Sequence, residues 1–152
     1  HGSAMGPAVQ AASAAAWGDE EHVVANRTLY RKKFERVTPI LSAVLDVALP
    51  DAGFYLWARI PDALGLSDTE FARALLAQYN VTVLPGSFLA REFAGSNPGH
   101  QRIRMALVAD TEACVEAAER IAKFVRSHHP ASHAPVHSPF PSSPSSTLPP
   151  AP

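Results

Sequence analysis

An apolar run interrupted by one arginine restricts the folds that this chain can adopt. Residues 103–108 read Ile-Arg-Met-Ala-Leu-Val, and Arg104 is the only charged side chain among them. Such a run, bounded by polar and turn residues, predicts a strand that is buried on both faces. A buried guanidinium is costly unless an anion meets it, and its planar fork fits a carboxylate. Arg104 therefore pairs either with an Asp or Glu of the chain or with the carboxylate of a ligand.

The segments around this run predict an α+β domain. Ser67 and Glu70 form a capping-box pattern, Asp110 is placed to cap a last helix, and Pro39 should kink a long second helix or end it. The patterns predict helices over residues 7–17, 19–47, 67–80 and 110–127, and strands over residues 54–60, 81–84 and 103–108. This order predicts a small, mainly antiparallel sheet packed by helices.

Side-chain patterns on the helices separate an expected core from an expected surface. Phe71, Leu75 and Leu76 of the third helix should point inward, whereas the basic residues 31–33 of the second helix should form a solvated face. The apolar stripe of that second helix consists of Tyr30, Phe34, Val37, Leu41 and Val44.

Charge and composition exclude several classes of partner. The chain has 152 residues, a formal net charge of −1 and a pI near 6.7, which give no reason to expect nucleic acid or an anionic membrane surface as a partner. No apolar run approaches the roughly 20 residues of a membrane span. The single cysteine, Cys114, excludes an internal disulfide and fits a reducing compartment, so we expect a cytoplasmic location.

The last 25 residues differ from the rest of the chain. Residues 128–152 hold eight of the 14 prolines and little charge, a composition that predicts an unordered or polyproline-like tail. Prolines between its histidines argue against the ordered cage that a metal needs, so no metal site is expected. These histidines are His128, His129, His133 and His137.

Four sequence blocks, taken in order, resemble the C-terminal part of the class I, fold-type I aminotransferases, which use pyridoxal phosphate. The blocks are residues 1–10, 51–57, 81–88 and 102–108. Within that family, the sequence of residues 89–104 is most similar to that of the N-succinyldiaminopimelate aminotransferases of bacterial lysine synthesis. The resemblance covers the chain from His1 to about Ser127.

The resemblance implies the residues of a substrate site. The family arginine at the position of Arg104 binds the α-carboxylate of the substrate. Arg102 is the alternative candidate for this role, because it lies on the same side of the strand. It is nearer the loop and is expected to be exposed. Tyr55 and Trp57 are expected to be packing residues. The turn at residues 85–88 either lines the substrate entrance or is simply a tight strand exit. Its residues are Pro85, Gly86, Ser87 and Phe88.

The resemblance also implies a division of the chain. Residues 1–18 would end the large domain as an interface helix, with the first five residues near the neighbouring active site of a dimer. Residues 19–127 would form the small domain, and residues 128–152 lie outside the family.

The family's Schiff-base lysine and phosphate site belong to the large domain, so no catalytic or cofactor-binding residue is expected here. The three lysines of the chain lie in no matching sequence context. They are Lys32, Lys33 and Lys123.

The predicted function is that of an aminotransferase fragment. The whole enzyme would be a homodimer with pyridoxal phosphate, acting on amino acids and 2-oxo acids, with N-succinyl-diaminopimelate and 2-oxoglutarate as the expected pair. A chain that begins at His1 without an initiator methionine fits a fragment that has lost its large domain and is inactive alone. The alternative is a non-catalytic interaction module whose proline-rich tail binds partners.

Overall fold

The computed structural model describes residues 4–128, which form four α-helices and one three-stranded sheet. The helices are α1 (Pro7–Gly18), α2 (Glu20–Ser42), α3 (Asp68–Tyr79) and α4 (Thr111–His128). The strands are β1 (Tyr55–Arg59), β2 (Leu84–Pro85) and β3 (Arg102–Ala106), and two 3-10 turns lie at Asp62–Leu64 and Gly86–Phe88. The predictions for His1 and for residues 129–152 fall outside the described residues, whereas His128, which was predicted to begin the tail, is the last residue of α4.

The sheet is antiparallel throughout, with β3 in the centre. Its strand order is β1-β3-β2. Arg104 of β3 lies opposite Trp57 of β1 and opposite Leu84 of β2. This arrangement confirms the predicted α+β class, and it places Arg104 at the middle of the sheet.

The helices pack on one face of this sheet only. Along β3, Ile103 and Met105 are 0% and 6% exposed, whereas Arg102 and Arg104 between them are half-buried. The prediction of a strand buried on both faces is therefore wrong. The second face is only half-covered, and the apolar residues Ala106 and Val108 are exposed there. A long apolar run is therefore also compatible with a strand that is buried on one face.

The core lies between the sheet and helices α2, α3 and α4. Phe71 of α3 and Phe124 of α4 meet edge to face, with their ring centroids 5.0 Å apart, and Tyr79 packs on Phe124 at 5.7 Å. The other most deeply buried side chains are Leu41, Leu56, Ile60, Leu75, Ile103, Val37 and Val125. Each of these elements contributes its apolar stripe to one continuous core.

The predicted helix starts are confirmed by their hydrogen bonds. Asp19 accepts from the backbone N–H groups of Glu21 and His22 at the start of α2. Ser67 and Glu70 form the complete capping box of α3. The Asp110 carboxylate accepts from the Ala113 N–H at 2.8 Å, which fixes the start of α4 directly after the sheet.

Several boundaries differ from the predictions. Helix α2 continues past Pro39 but ends at Ser42 rather than near residue 47. Strand β1 is one residue shorter at each end than predicted, and β2 pairs only at Leu84 and Pro85. Leu76 is 48% exposed, because its neighbour Leu75 takes the core-facing position and the next residue points about 100° away.

Helix α1 makes no contribution to the core. It has no buried residue, and Trp17 is 86% exposed. Within residues 4–128, none of the helices has the length and apolar character needed to cross a membrane.

Candidate functional site

Arg104 lies on the sheet face that the helices leave uncovered. It is half-buried, and its guanidinium carbon is 5.3 Å from the centre of the Tyr55 ring. Among residues 4–128 no Asp or Glu forms a salt bridge with it. Of the two pairings that the sequence left open, the internal ion pair is therefore not found in the described part of the chain.

Tyr55 connects Arg104 to a row of aromatic rings. Its ring meets Phe54 edge to face at 5.7 Å, and Phe54 lies 6.1 Å from Tyr30 of α2. Tyr55 is 37% exposed and Trp57 is half-buried on this same face, so neither belongs to the core. The packing role predicted for Tyr55 is confirmed by its contacts with Phe54 and with Arg104.

Lys33 occupies the other end of this row. It is only 8% exposed, its ammonium is 4.8 Å from the centre of the Tyr30 ring, and it donates to the Leu107 carbonyl at 2.9 Å. The prediction of a solvated basic face is thus wrong for Lys33. The contact stabilises the backbone just after β3, because a buried ammonium needs an acceptor.

Arg102 lies two residues before Arg104 and faces the same way. It is half-buried rather than exposed as predicted, and it forms no salt bridge within residues 4–128. Directly opposite on β1 is Arg59, whose guanidinium contacts the Asp62 carboxylate at 2.8 Å. The uncovered face therefore carries three arginines, one of which is neutralised.

The turn at residues 85–88 adjoins these arginines through the end of β2. Pro85 and Gly86 are buried, Ser87 is half-buried, and Phe88 is 76% exposed. Since Leu84 is paired with Arg104, the turn follows at one edge of the same face. The structure thus brings together the segments that the sequence singled out.

Two polar side chains that the sequence analysis missed hold this turn. The Ser87 N–H donates to the Asp68 carboxylate at 2.7 Å, and the Ser87 carbonyl accepts from the Asn97 amide at 3.2 Å. Asp68 is 2% exposed and also accepts from the Thr69 N–H. An aspartate in the first turn of a helix is usually explained by the helix dipole, so its sequence position gave no signal of this second contact.

A shallow cleft of about 430 Å³ adjoins the Arg59 end of the sheet. It is lined by Arg59, Asp62, Gly65, Leu66, Ser67, His100 and Gln101. Because its arginine is already paired with Asp62, the cleft offers less free positive charge than the strand beside it.

The surroundings of the three lysines do not suit a Schiff base with an aldehyde cofactor. Lys33 is engaged with the Leu107 carbonyl, and Lys32 and Lys123 lie on exposed helical faces. A Schiff-base lysine acts as a free amine in a desolvated pocket, whereas Lys33 is buried but donates to a carbonyl and the other two lysines are exposed. Within the described residues there is also no group of three potential metal ligands.

The thiol of Cys114 belongs to the core rather than to the uncovered face. It is 7% exposed, and burial raises its pKa above the usual value of a thiol, which disfavours the reactive thiolate. The charged groups that the uncovered face offers to a ligand are its arginines.

Comparison with known proteins identifies the family. The sequence model of the family described as aminotransferase class I and II matches residues 3–121. The chain belongs to this aminotransferase family. The match covers all four helices up to Ile121 of α4 and the whole sheet, so the resemblance seen in the sequence blocks is confirmed.

Individual relatives agree with the family assignment. An LL-diaminopimelate aminotransferase of Nitratidesulfovibrio vulgaris (strain DSM 19637 / Miyazaki F) is 34% identical over 119 residues, which are 77% of this chain and 29% of that protein. An aminotransferase structure from Neisseria meningitidis Z2491 has a TM-score of 0.76 and 55% identity, covering 83% of this chain and 31% of the other. A probable N-succinyldiaminopimelate aminotransferase from Thermus thermophilus has a TM-score of 0.57 and 33% identity, covering 70% of this chain and 26% of the other.

This aminotransferase chain spans less than a third of the length of the relatives that it matches. Pyridoxal phosphate is the cofactor of the family. The described residues provide a sheet face on which Arg102 and Arg104 have no salt-bridge partner within residues 4–128.

Proposed function

We propose that this chain supplies the small domain of an aminotransferase and that Arg104 binds the α-carboxylate of the amino-acid or 2-oxo-acid substrate. The observation that carries the proposal is that Arg104 is half-buried at the centre of the sheet and has no carboxylate partner within residues 4–128. A half-buried guanidinium without an internal partner is available to bind an external carboxylate.

The role of Arg104 is one of positioning. A guanidinium binds a carboxylate through two parallel hydrogen bonds, which fix the orientation of the acid as well as its location. With the carboxylate fixed, the neighbouring α-carbon is held in one orientation toward the cofactor, and such alignment lowers the barrier to reaction. The segment from Pro85 to Phe88 would line the entrance beside it.

The cofactor site is proposed to lie on a large domain outside these residues. The placement of Lys32, Lys33 and Lys123 supports this, since none of them faces a suitable cavity. Pyridoxal phosphate, when bound there, would carry the amino group between the two substrates. The chain alone would then be inactive and bind no cofactor, and the whole enzyme would be a homodimer.

The proposed substrates are N-succinyl-diaminopimelate and 2-oxoglutarate. The names of two relatives, an LL-diaminopimelate aminotransferase and a probable N-succinyldiaminopimelate aminotransferase, support a diaminopimelate derivative and thus lysine biosynthesis. The transfer would convert an amino acid into its 2-oxo acid while 2-oxoglutarate becomes glutamate.

A chimaera tests the proposed function. Residues 19–127 would replace the matching segment of the N. meningitidis aminotransferase, which is 55% identical over the aligned region. We expect amino transfer to be retained and Arg104→Gln to lower kcat/KM by at least about a hundredfold, since two charge-assisted hydrogen bonds are lost. The absorbance of the bound cofactor should not change.

Two results would contradict the proposal. One is an Arg104→Gln chimaera with unchanged kcat/KM for every amino acid tested. The other is a borohydride-reducible absorbance band when the 152-residue chain alone is mixed with pyridoxal phosphate.

A further inference from the structure

We propose that Arg102 binds a second carboxylate and thereby makes this site selective for substrates that carry an acid group at each end. The inference rests on the proposed function, because it takes Arg104 as the contact of the first carboxylate. It names the residue that would recognise the far end of the substrate.

The spacing of the two arginines suits a diacid. Arg102 and Arg104 are two residues apart on β3, so their Cα atoms are about 6.6 Å apart and their side chains leave the same face. Two guanidinium groups that leave one face at neighbouring positions can each contact one carboxylate of the same short diacid. Both arginines are half-buried, and neither forms a salt bridge within the described part of the chain.

Charge around Arg102 points to an external anion. Arg59 lies directly opposite it on β1, and like charges in opposite positions of a sheet repel each other. Asp62 neutralises Arg59, with both carboxylate oxygens accepting from the same Arg59 nitrogen at 3.0 and 2.8 Å. Asp62 thus already offsets the charge of Arg59, whereas Arg102 has no such partner among residues 4–128 and keeps its charge available for an external carboxylate.

The turn after β2 packs closely against the backbone of Arg102. A Cβ atom built at Gly86 would lie 3.0 Å from the Cβ of Arg102 and 2.9 Å from its carbonyl oxygen. A larger residue there would crowd the arginine, whereas glycine allows β2 to end close to it. Arg102 therefore lies between Arg59 and the turn that follows β2, in line with Arg104.

The paired acids pentanoate and glutarate test the inference, because they have equal chain length and differ in one carboxylate. The 152-residue chain would be titrated with each by NMR at low ionic strength, where screening is weak. We expect glutarate to bind at least about fivefold more tightly than pentanoate, since a second charge-assisted contact forms. Arg102→Gln should remove this preference and leave pentanoate binding unchanged.

Arg59→Gln is the matched control, because Arg59 lies on the same face but is already paired with Asp62. It should keep the preference for glutarate. Arg102→Lys, which keeps the charge but loses the fork, should keep part of it, and this variant replaces Arg102→Gln if the latter loses the dispersed spectrum of a folded chain.

The outcomes separate this inference from the proposed function. A glutarate preference that survives in Arg102→Gln, or no preference in the wild type, overturns the role of Arg102 while Arg104 keeps its own. A glutarate preference that survives in Arg104→Gln, or no binding of either acid to the wild type, overturns both.

Discussion

At the residue scale, the Tyr55 ring restricts the Arg104 side chain that is proposed to bind the substrate. An arginine side chain loses considerable rotamer freedom when it binds, and an aromatic ring beneath the guanidinium removes part of that freedom beforehand. The Tyr55 ring is itself fixed, because it meets Phe54 at an interplanar angle of 85°. Arg104 is thus oriented before any carboxylate arrives.

Replacing the ring should weaken binding without unfolding the chain. We expect Tyr55→Leu to lower the affinity for pentanoate about three- to tenfold, the range of a cation–π contact. Tyr55→Phe keeps the ring and should stay within about twofold of the wild type. NMR titration measures both, and an equal loss in the two variants would assign the effect to the hydroxyl group instead of the ring.

The sequence predicted the position of Arg104 correctly but not its surroundings. Resemblance placed the arginine in a strand block, whereas the absence of an ion partner within residues 4–128 depends on segments far away in sequence. Lys33 shows the same limit: it reads as one of three basic surface residues, yet its acceptor, the Leu107 carbonyl, is 74 positions away. Local pattern cannot reveal such a contact.

At the element scale, two glycines join the turn after β2 to the loop before β3. A Cβ at Gly86 would lie 2.3 Å from the carbonyl oxygen of Gly99, and one at Gly99 would lie 2.0 Å from that of Gly86. Both distances are far below van der Waals contact, so the two backbones can approach this closely only without side chains. The contact holds the turn against the strand that carries both arginines.

Gly86→Ala should therefore destabilise the fold. We expect a loss of about 2 kcal/mol or more in the free energy of unfolding, at the upper end for an overpacked site, because backbone rather than a flexible side chain must move. Gly18→Ala is the control, since a Cβ there has no neighbour within 4 Å. Urea unfolding measures both, and equal stability of the two variants would refute the close contact.

The turn could be predicted from the sequence, whereas the hydrogen bonds that hold it in place could not. Pro85 and Gly86 are strong turn residues, and their place between two strand-like segments was read correctly. Asp68 and Asn97, which hold Ser87 on its two sides, lie 19 and 10 residues from it. The packing of α3 against the sheet brings Asp68 to the turn, and the loop before β3 brings Asn97.

At the scale of the whole molecule, helices α2 and α4 form one layer over the sheet, and a salt bridge joins them. Arg36 of α2 donates to Glu112 of α4, with one contact at 2.8 Å. The guanidinium lowers the pKa of the Glu112 carboxyl below its usual value. The pair therefore stabilises the folded chain over the pH range where Glu112 is ionised.

The direction of the pH effect follows from this shift. Because the pKa of Glu112 is lower in the folded than in the unfolded chain, its stabilisation is complete above the unfolded pKa and disappears as the pH falls through the folded pKa. Glu112→Gln should be slightly less stable than the wild type at neutral pH and equally stable in strong acid. The difference stays small, because both side chains are largely exposed.

Urea unfolding at a series of pH values measures this difference. Glu35→Gln is the control, since Glu35 forms no salt bridge within residues 4–128. A Glu112→Gln curve parallel to that of the wild type down to strong acid would show that the ion pair contributes nothing.

The alternation along β3 restricts how the length of this strand can change. Ile103 and Met105 belong to the core, and Arg102 and Arg104 lie on the opposite face. Whether a side chain faces the core or the arginine face therefore depends on its place in the two-residue alternation of the strand. Inserting one residue inside the strand would turn the guanidinium groups into the apolar layer and expose the isoleucine, although no amino acid had been replaced. During divergence of such enzymes, indels within β3 should survive only in pairs.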